Sequence, residues 1–145
     1  MLVSSEEMRQ EAKKLWPDLD NIWLMDKVFT APRPEVFQEA LRLSNVPSME
    51  FIPEANDCDD FALQFMAEVR RKRYFQYVNK QLTRENYKPI SATFGFGDQF
   101  RGISKIHVAN PCFTEDGFYM IDTTPGENRM WKAKTDQDHI LFLFA

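Results

Sequence analysis

The sequence predicts an α+β domain, with helices in its first half and an antiparallel β-sheet in its second half. Two observations support this prediction. As far as Val78, apolar residues recur at helical spacing, whereas after Pro89 they alternate with a period of two. The length of 145 residues and the absence of a Gly/Ser-rich linker predict a single domain over residues 1–145.

Helix boundaries follow from capping residues and prolines. Ser4 and Glu7 have the spacing of a capping box, and Pro34 suits the first turn of a helix. Asn56 and Asp57 are good N-cap residues in front of an apolar face. The three predicted helices therefore run over 4–16, 34–45 and 56–78.

Strand patterns begin after Pro89, where β-branched and aromatic residues alternate with polar ones. Asp116 and Gly117 form a turn dipeptide between two of these runs. The stretch 22–29 fits neither a helix nor a strand pattern well. The predicted strands are Ile90–Phe96, Lys105–Ala109, Gly117–Thr123 and Ile140–Phe144.

Charge and hydropathy exclude several classes of protein. The 18 basic and 22 acidic residues give a net charge of −4, which does not suit a uniformly basic, nucleic-acid-binding surface. No apolar run approaches the ~18 residues of a membrane span, and the first stretch, MLVSSEEMRQ, does not resemble a signal peptide. Without an export signal, Cys58 and Cys112 are expected as reduced thiols, and the basic run Arg70–Arg73 as a solvated helix end.

Cys58 lies in the first turn of the third predicted helix, in the segment NDCDDFA. Backbone N–H groups and the dipole at a helix N-terminus stabilise a thiolate. A nucleophilic thiolate also needs a base and an orienting group. His107 and Asp122 lie on consecutive predicted strands, and antiparallel pairing around Thr114–Glu115 would place them opposite each other, ~5 Å apart at Cβ.

Each of these residues also has a structural interpretation. A buried cysteine behaves as a small hydrophobe, a strand histidine often belongs to a core, and Asp122 can simply end its strand before a turn. The combination is more specific than its members, because residue order, element type and register agree. His139, near the last strand, is a reserve base.

A Cys at a helix start, followed by His and Asp on neighbouring strands, resembles the papain-like and transglutaminase-like cysteine enzymes. The segment NDCDDFA resembles the nucleophile motif of bacterial and phage transglutaminase-like peptidases. It is also similar to the protease-like C-terminal domain of fungal chimeric agglutinins, which are calcium- or manganese-dependent cysteine proteases. The resemblance covers residues 51–125, about half of the chain.

This resemblance implies a papain-like or transglutaminase-like fold, in which the nucleophile helix packs on the C-terminal antiparallel sheet. It implies a cysteine peptidase with a catalytic triad, in which Cys58 is the nucleophile, His107 the general base and acid, and Asp122 the orienting group. The expected reaction is acyl transfer through a thioacyl intermediate on a protein or peptide substrate. A transglutaminase or a deamidase would use the same intermediate, so both remain alternatives. The phage likeness implies a cytoplasmic or virion-associated protein.

A non-catalytic interaction module on the same fold is the main alternative. Papain carries a Gln about six residues before its Cys, whereas residues 51–53 here are Phe, Ile and Pro. Loss of an oxyanion donor costs ~10²–10³ in rate, so Asn56, Gln64 or Asn110 would have to replace it. A nucleic-acid binder that uses Arg70–Arg73 is a third, less favoured class.

Acidic residues surround the cysteine. Asp57, Asp59 and Asp60 place negative charge beside Cys58, which disfavours a thiolate. A bound hard cation would make the electrostatic potential at Cys58 positive instead of negative, and carboxylates suit Ca²⁺ and Mn²⁺ as ligands. The three aspartates are therefore candidate ligands of Ca or Mn. Alternatively, they cap the helix and point to solvent.

Overall fold

The computed structural model describes residues 1–145, which form three α-helices, a short 3₁₀ helix at Val46–Ser48 and eight β-strands. The helices are α1 (Ser5–Leu15), α2 (Pro34–Leu43) and α3 (Cys58–Val78). The strands are β1 (Leu2–Ser4), β2 (Asn21–Trp23), β3 (Val28–Thr30), β4 (Phe94–Phe100), β5 (Ile103–Thr114), β6 (Gly117–Asp122), β7 (Arg129–Lys132) and β8 (His139–Phe144). None of the helices combines the length and the apolar composition that crossing a bilayer requires.

The predicted helix starts are confirmed by their capping contacts. The Glu7 N–H donates to Ser4 Oγ at 3.1 Å, and the Ser4 N–H donates to Glu7 Oε2 at 2.7 Å, so a capping box opens α1. A proline occupies the first turn of α2. At α3, the N–H of the N-cap residue Asp57 donates to Asp60 Oδ2 at 3.2 Å. This cap makes Cys58 the first residue of α3.

Six strands form one mixed sheet in the order β2-β8-β4-β5-β6-β7. β2 runs parallel to β8, and the other neighbouring strands are antiparallel. β1 and β3 form a separate antiparallel pair. Between Gly97 and Gln99 the register of β4 shifts against both of its neighbours. Such an irregularity bends the strand locally.

The predicted arrangement, N-terminal helices packed on an antiparallel sheet of papain-like or transglutaminase-like type, is wrong. Three strands (β1, β2 and β3) lie in the first half of the chain, and the sheet is mixed because β2 is parallel to β8. These strands have 3 residues each, and only the middle residue of each is buried. Strands this short are too brief to show an alternating pattern. β7 was missed as well, because it contains no buried residue.

The four predicted strands correspond to β4, β5, β6 and β8 with shifted boundaries. The start of the predicted strand at Ile90 is extended chain with isolated bridges, and β4 begins only at Phe94. β5 is longer than predicted and continues to Thr114. Gly117, with φ of +99°, begins β6 after the turn. A positive φ there favours the glycine that the turn dipeptide contains.

The sheet is buried on both faces. One face joins a core of 17 residues that includes Trp16 after α1, and the other joins Phe65 and Val69 of α3. Met120 and Ile121 are consecutive on β6 and belong to different cores, as alternation along a strand requires. Full burial of one Val, Leu, Ile, Phe or Met side chain contributes ~1.5–3 kcal/mol to the free energy of folding. This burial holds α3 on the sheet and so fixes the position of its first turn.

Candidate functional site

Cys58 is half-buried at the first turn of α3. The fully buried amide of Asn110, on β5, donates to the carbonyl oxygens of Ala62 at 2.8 Å and Thr93 at 2.7 Å. Buried polar groups that are paired in this way hold their elements in one arrangement. Asn110 therefore ties the first turns of α3 to the sheet and sets the distance between Cys58 and β5.

His107 on β5 and Asp122 at the end of β6 form a buried pair. His107 Nε2 lies 2.6 Å from Asp122 Oδ2, and the two residues are 8% and 2% exposed. The other carboxylate oxygen, Oδ1, accepts from the Thr124 N–H at 3.0 Å. The ring of Phe100 packs edge-on against the imidazole, with centroids 5.2 Å apart. These contacts orient the carboxylate and the imidazole ring together.

His107 joins Asp122 to Cys58. Its Nε2 faces Asp122, and Cys58 lies close enough to influence the pKa of the ring. Burial is the largest single influence and lowers the pKa of His107, but hydrogen bonds and charge from Asp122 and Cys58 together outweigh it and raise that pKa to about 9. The imidazole is therefore cationic at neutral pH. We call these three residues the Cys58 cluster.

The aspartates around Cys58 divide into two groups. Asp57 and Asp59 hydrogen-bond to each other, which lowers the pKa of Asp57 and raises the pKa of Asp59, as for two carboxyls that share a proton. The ligand atoms of Asp57, Cys58 and Asp59 lie within 4.8 Å of one another. Asp60 instead accepts the N-cap hydrogen bond. Two adjacent carboxylates fit Ca²⁺ or Mn²⁺, whereas the soft thiol sulfur does not.

The three amides considered as oxyanion donors have other partners. Asn110 directs its amide group at two backbone carbonyls. Gln64 Nε2 donates to Asn56 Oδ1 at 3.0 Å, and Asn56 Nδ2 donates to the Glu50 carbonyl at 2.7 Å. An oxyanion donor has to be aimed in advance at the position where the charge develops. The cluster therefore has a polarised thiol without any of these three donors aimed at it.

Cys112 and His139 lie outside the Cys58 cluster. Cys112 is fully buried, and burial raises the pKa of its thiol. His139 Nδ1 lies 2.6 Å from Asp98 Oδ1, and its Nε2 lies 3.0 Å from Asp18 Oδ2. Hydrogen bonds to Asp98 and then to Asp18 raise the pKa of His139. Because both ring nitrogens are occupied, His139 does not serve as the reserve base.

Two positioning contacts were missed from the sequence. Thr124 follows Asp122 by two residues, which is the spacing of an Asx turn, so its N–H bond to the carboxylate had a readable signal. The contact between Phe100 and His107 had none, because it depends on how β4 and β5 pair.

No protein-family model and no curated protein matches this chain. Solved structures match it along nearly its whole length. A structure described as "PSL1a-E64 complex" has a TM-score of 0.74 at 16% identity and covers 99% of this chain and 51% of that chain. A crystal structure of Polyporus squamosus lectin bound to the human-type influenza-binding epitope Neu5Acα2-6Galβ1-4GlcNAc has a TM-score of 0.72 at 15% identity, with 99% and 49% covered. The chain thus spans about half the length of these matched chains.

The fold is therefore one shared with part of a lectin chain. Because the matching structures are those of a lectin, the predicted membership of the papain-like and transglutaminase-like cysteine peptidases is wrong, together with the phage and fungal protease likeness behind it. The predicted function, a cysteine-dependent acyl-transfer enzyme of the thiol protease or hydrolase class with a catalytic triad, is corrected on the same ground. A physical reason against this reaction is that the amides of Gln64 and Asn110 are bonded to other groups and do not serve as oxyanion donors. The predicted protein or peptide substrate is not supported either.

Proposed function

We propose that this chain is a ligand-binding module whose binding centre is the thiol of Cys58. The observation that carries the proposal is the 2.6 Å contact between His107 and Asp122, with Cys58 close enough to His107 to raise its pKa. Taking two charged groups out of water has a large desolvation cost, and well-packed apolar residues often stabilise such a position as well or better. The place of this pair beside a half-exposed thiol therefore indicates a function for the thiol.

The ligand class that suits this centre is a carbon electrophile such as an epoxide. The thiolate attacks an epoxide carbon, an S–C bond forms as the C–O bond opens, and the alkoxide takes a proton from the imidazolium of His107. The product is a stable thioether, so the event is capture of one ligand by one thiol. One matching structure is described as a complex with E64, so E64 serves as a test ligand.

Selective labelling tests this proposal. The rates at which E64 and iodoacetamide label Cys58 and Cys112 would be measured by peptide mass spectrometry from about pH 5 to 9, the range over which ordinary thiols begin to ionise. We expect one E64 per chain, at Cys58, with the fully buried Cys112 unlabelled in the folded protein.

Two variants provide the controls. Cys58→Ser should take up no E64. His107→Ala should react more slowly near pH 6.5, because it lacks the cationic imidazole close to the sulfur. Equal rates in His107→Ala and the unmodified protein would contradict the proposal.

Glycan binding is a second candidate, favoured by the lectin structure that holds Neu5Acα2-6Galβ1-4GlcNAc. Titration of the chain with this trisaccharide, and with Galβ1-4GlcNAc as the control, would be followed by NMR. Chemical-shift changes only with the sialylated glycan would support this candidate, and no change with either would remove it.

The location in the cytoplasm or in a virion stays a prediction, which fractionation of the source cells and particles would test.

A further inference from the structure

A groove separates α2 from α3 and contains no residue of the Cys58 cluster. Its volume is about 290 Å³. Val36, Ala40 and Leu43 of α2 form one wall, and the buried Val69 and Ile90 lie at its floor. Val36 is 44% and Leu43 52% exposed, so α2 presents a second apolar face in addition to the one that it buries in the core.

Two cations line the same groove without a directly ion-paired acidic partner, although Lys72 interacts with Glu39 through charge. Lys72 and Arg73 of α3 form no ion pair within 4.0 Å in the fold. Glu39 also lines the groove, but Arg42 holds both of its carboxylate oxygens at 2.6 and 2.8 Å. The charge of Glu39 is thereby compensated. The groove keeps a net positive edge on a chain whose overall charge is −4.

Arg73 is held in place by neutral acceptors alone. Its guanidinium donates to the Lys88 carbonyl at 3.3 Å, to Gln76 Oε1 at 3.2 Å and to Thr30 Oγ1 at 3.1 Å. A guanidinium that is already ordered loses less conformational entropy when it binds an anion. Arg73 is therefore prepared for a negative ligand group, and Lys72 beside it adds a mobile second charge.

We propose that this groove binds a small amphiphilic anion. The apolar part of the ligand would lie against Val36, Ala40 and Leu43, and its carboxylate would lie at Lys72 and Arg73. A volume of about 290 Å³ is at the lower limit of small-molecule sites, so it suits a single aryl or short alkyl group rather than a helix. The unpaired cations select a monoanion over a neutral compound of the same shape.

A matched pair of probes tests the proposal: 4-phenylbutyrate and 4-phenylbutanol, which share the apolar part and differ in charge. Binding would be measured by NMR on the intact chain. For a ligand of about 12 heavy atoms, we expect a Kd on the order of 1 mM for the carboxylate. The alcohol should bind about fivefold more weakly, the effect of one exposed ion pair.

Variants locate the binding. Lys72→Gln should weaken binding of phenylbutyrate about fivefold, whereas Arg71→Gln, a neighbouring cation that does not line the groove, should leave it unchanged. Ala40→Leu should abolish binding by filling the groove. Leu43→Gln provides a second apolar test, and circular dichroism checks that both variants fold.

Three results would overturn the proposal. The first is equal affinity for phenylbutyrate and phenylbutanol. The second is unchanged affinity for phenylbutyrate in a folded Ala40→Leu protein. The third is that the NMR chemical shifts of the chain change only when an acidic amphipathic peptide is added. The last would assign the groove to a protein partner. All three are independent of the labelling of Cys58.

Discussion

His107 reaches Asp122 diagonally, not directly across the two strands. Asn110 pairs with Ile121, so one further step along the register places Asp122 opposite Ala109, two residues from His107. Diagonal neighbours share a face and lie ~7–8 Å apart at Cβ, a distance that these side chains can bridge. The turn lies one residue later than the predicted pairing assumed, and the 2.6 Å contact forms all the same.

Replacement of Asp122 by Asn should lower the pKa of His107 from about 9 to near or below its ordinary 6.5, because burial then dominates. An NMR pH titration of the His107 ring measures this change, and the ring of His139 serves as the internal control. We also expect a loss of about 3 kcal/mol in the free energy of unfolding, as when one partner of a buried pair is removed. An unshifted titration of His107 would show that Asp122 is not its charge partner.

The free energy of unfolding should fall as pH rises on the alkaline side. The pKa of His107 is raised from 6.5 to about 9 in the folded protein, so its stabilising contribution is complete below about pH 6.5 and is lost as pH rises through about 9. Urea titrations at several pH values would show a decrease of up to about 3 kcal/mol. His107→Gln should have a flatter profile, and an equally steep profile in that variant would assign the effect to another group.

Gly97→Ala should destabilise the sheet. A Cβ at Gly97 would lie 2.3 Å from the backbone oxygen of His139 and 3.1 Å from Ile140 Cδ1, and the backbone cannot move aside cheaply. We expect a loss of ~1–3 kcal/mol, measured by chemical denaturation. Ser104→Ala, at an exposed position on β5, is the control. Equal stability of the two variants would mean that β4 adjusts without cost.

Calcium or manganese is expected to bind Asp57 and Asp59 and to displace the proton that they share. An ion that binds only the folded chain raises Tm with its concentration. Addition of Ca²⁺ or Mn²⁺ after EDTA should therefore raise Tm in the unmodified protein but not in Asp59→Asn. Asp116→Asn, an exposed acidic position in a turn, is the control. An unchanged Tm under all conditions would remove the metal from consideration.

Residues 1–145 are predicted to unfold as one domain. The two cores are coupled through the same strands, because β6 contributes Met120 to one and Ile121 to the other. Unfolding curves in urea from near-UV and far-UV circular dichroism should therefore coincide. Two separated transitions would indicate that the cores belong to independent units.

Features that depend on neighbouring residues in sequence were the predictable ones. The capping pair Ser4 and Glu7 and the N-cap Asp57 are local signals, and the helix starts that they predicted are confirmed. The short strands β1, β2 and β3 were missed because their pairing partners lie elsewhere in the chain. The parallel pairing of β2 with β8 has no local signal at all.

The same distinction applies to the site. The residue types and order of Cys58, His107 and Asp122 suggested that they would meet, and they do lie together. The reaction inferred from them is corrected by the lectin likeness of the fold. That reaction also depended on the direction of side-chain amides. The amide of Asn110 donates to the carbonyl oxygens of Ala62 and Thr93, and this direction results from the packing of α3 on β5. No spacing in the sequence encodes that direction.

The position of β8 between β2 and β4 has a consequence for biosynthesis. While a nascent chain is still on the ribosome, β4 can pair with β5, but its other edge stays open until residues 139–144 emerge. Phe94 and Phe96 lie on that open edge, and β8 supplies the buried side chains of Ile140 and Leu143. Unpaired apolar edges invite association between chains. Translation of this protein therefore includes an interval, ended only by β8, in which chaperones would protect the exposed edge of β4.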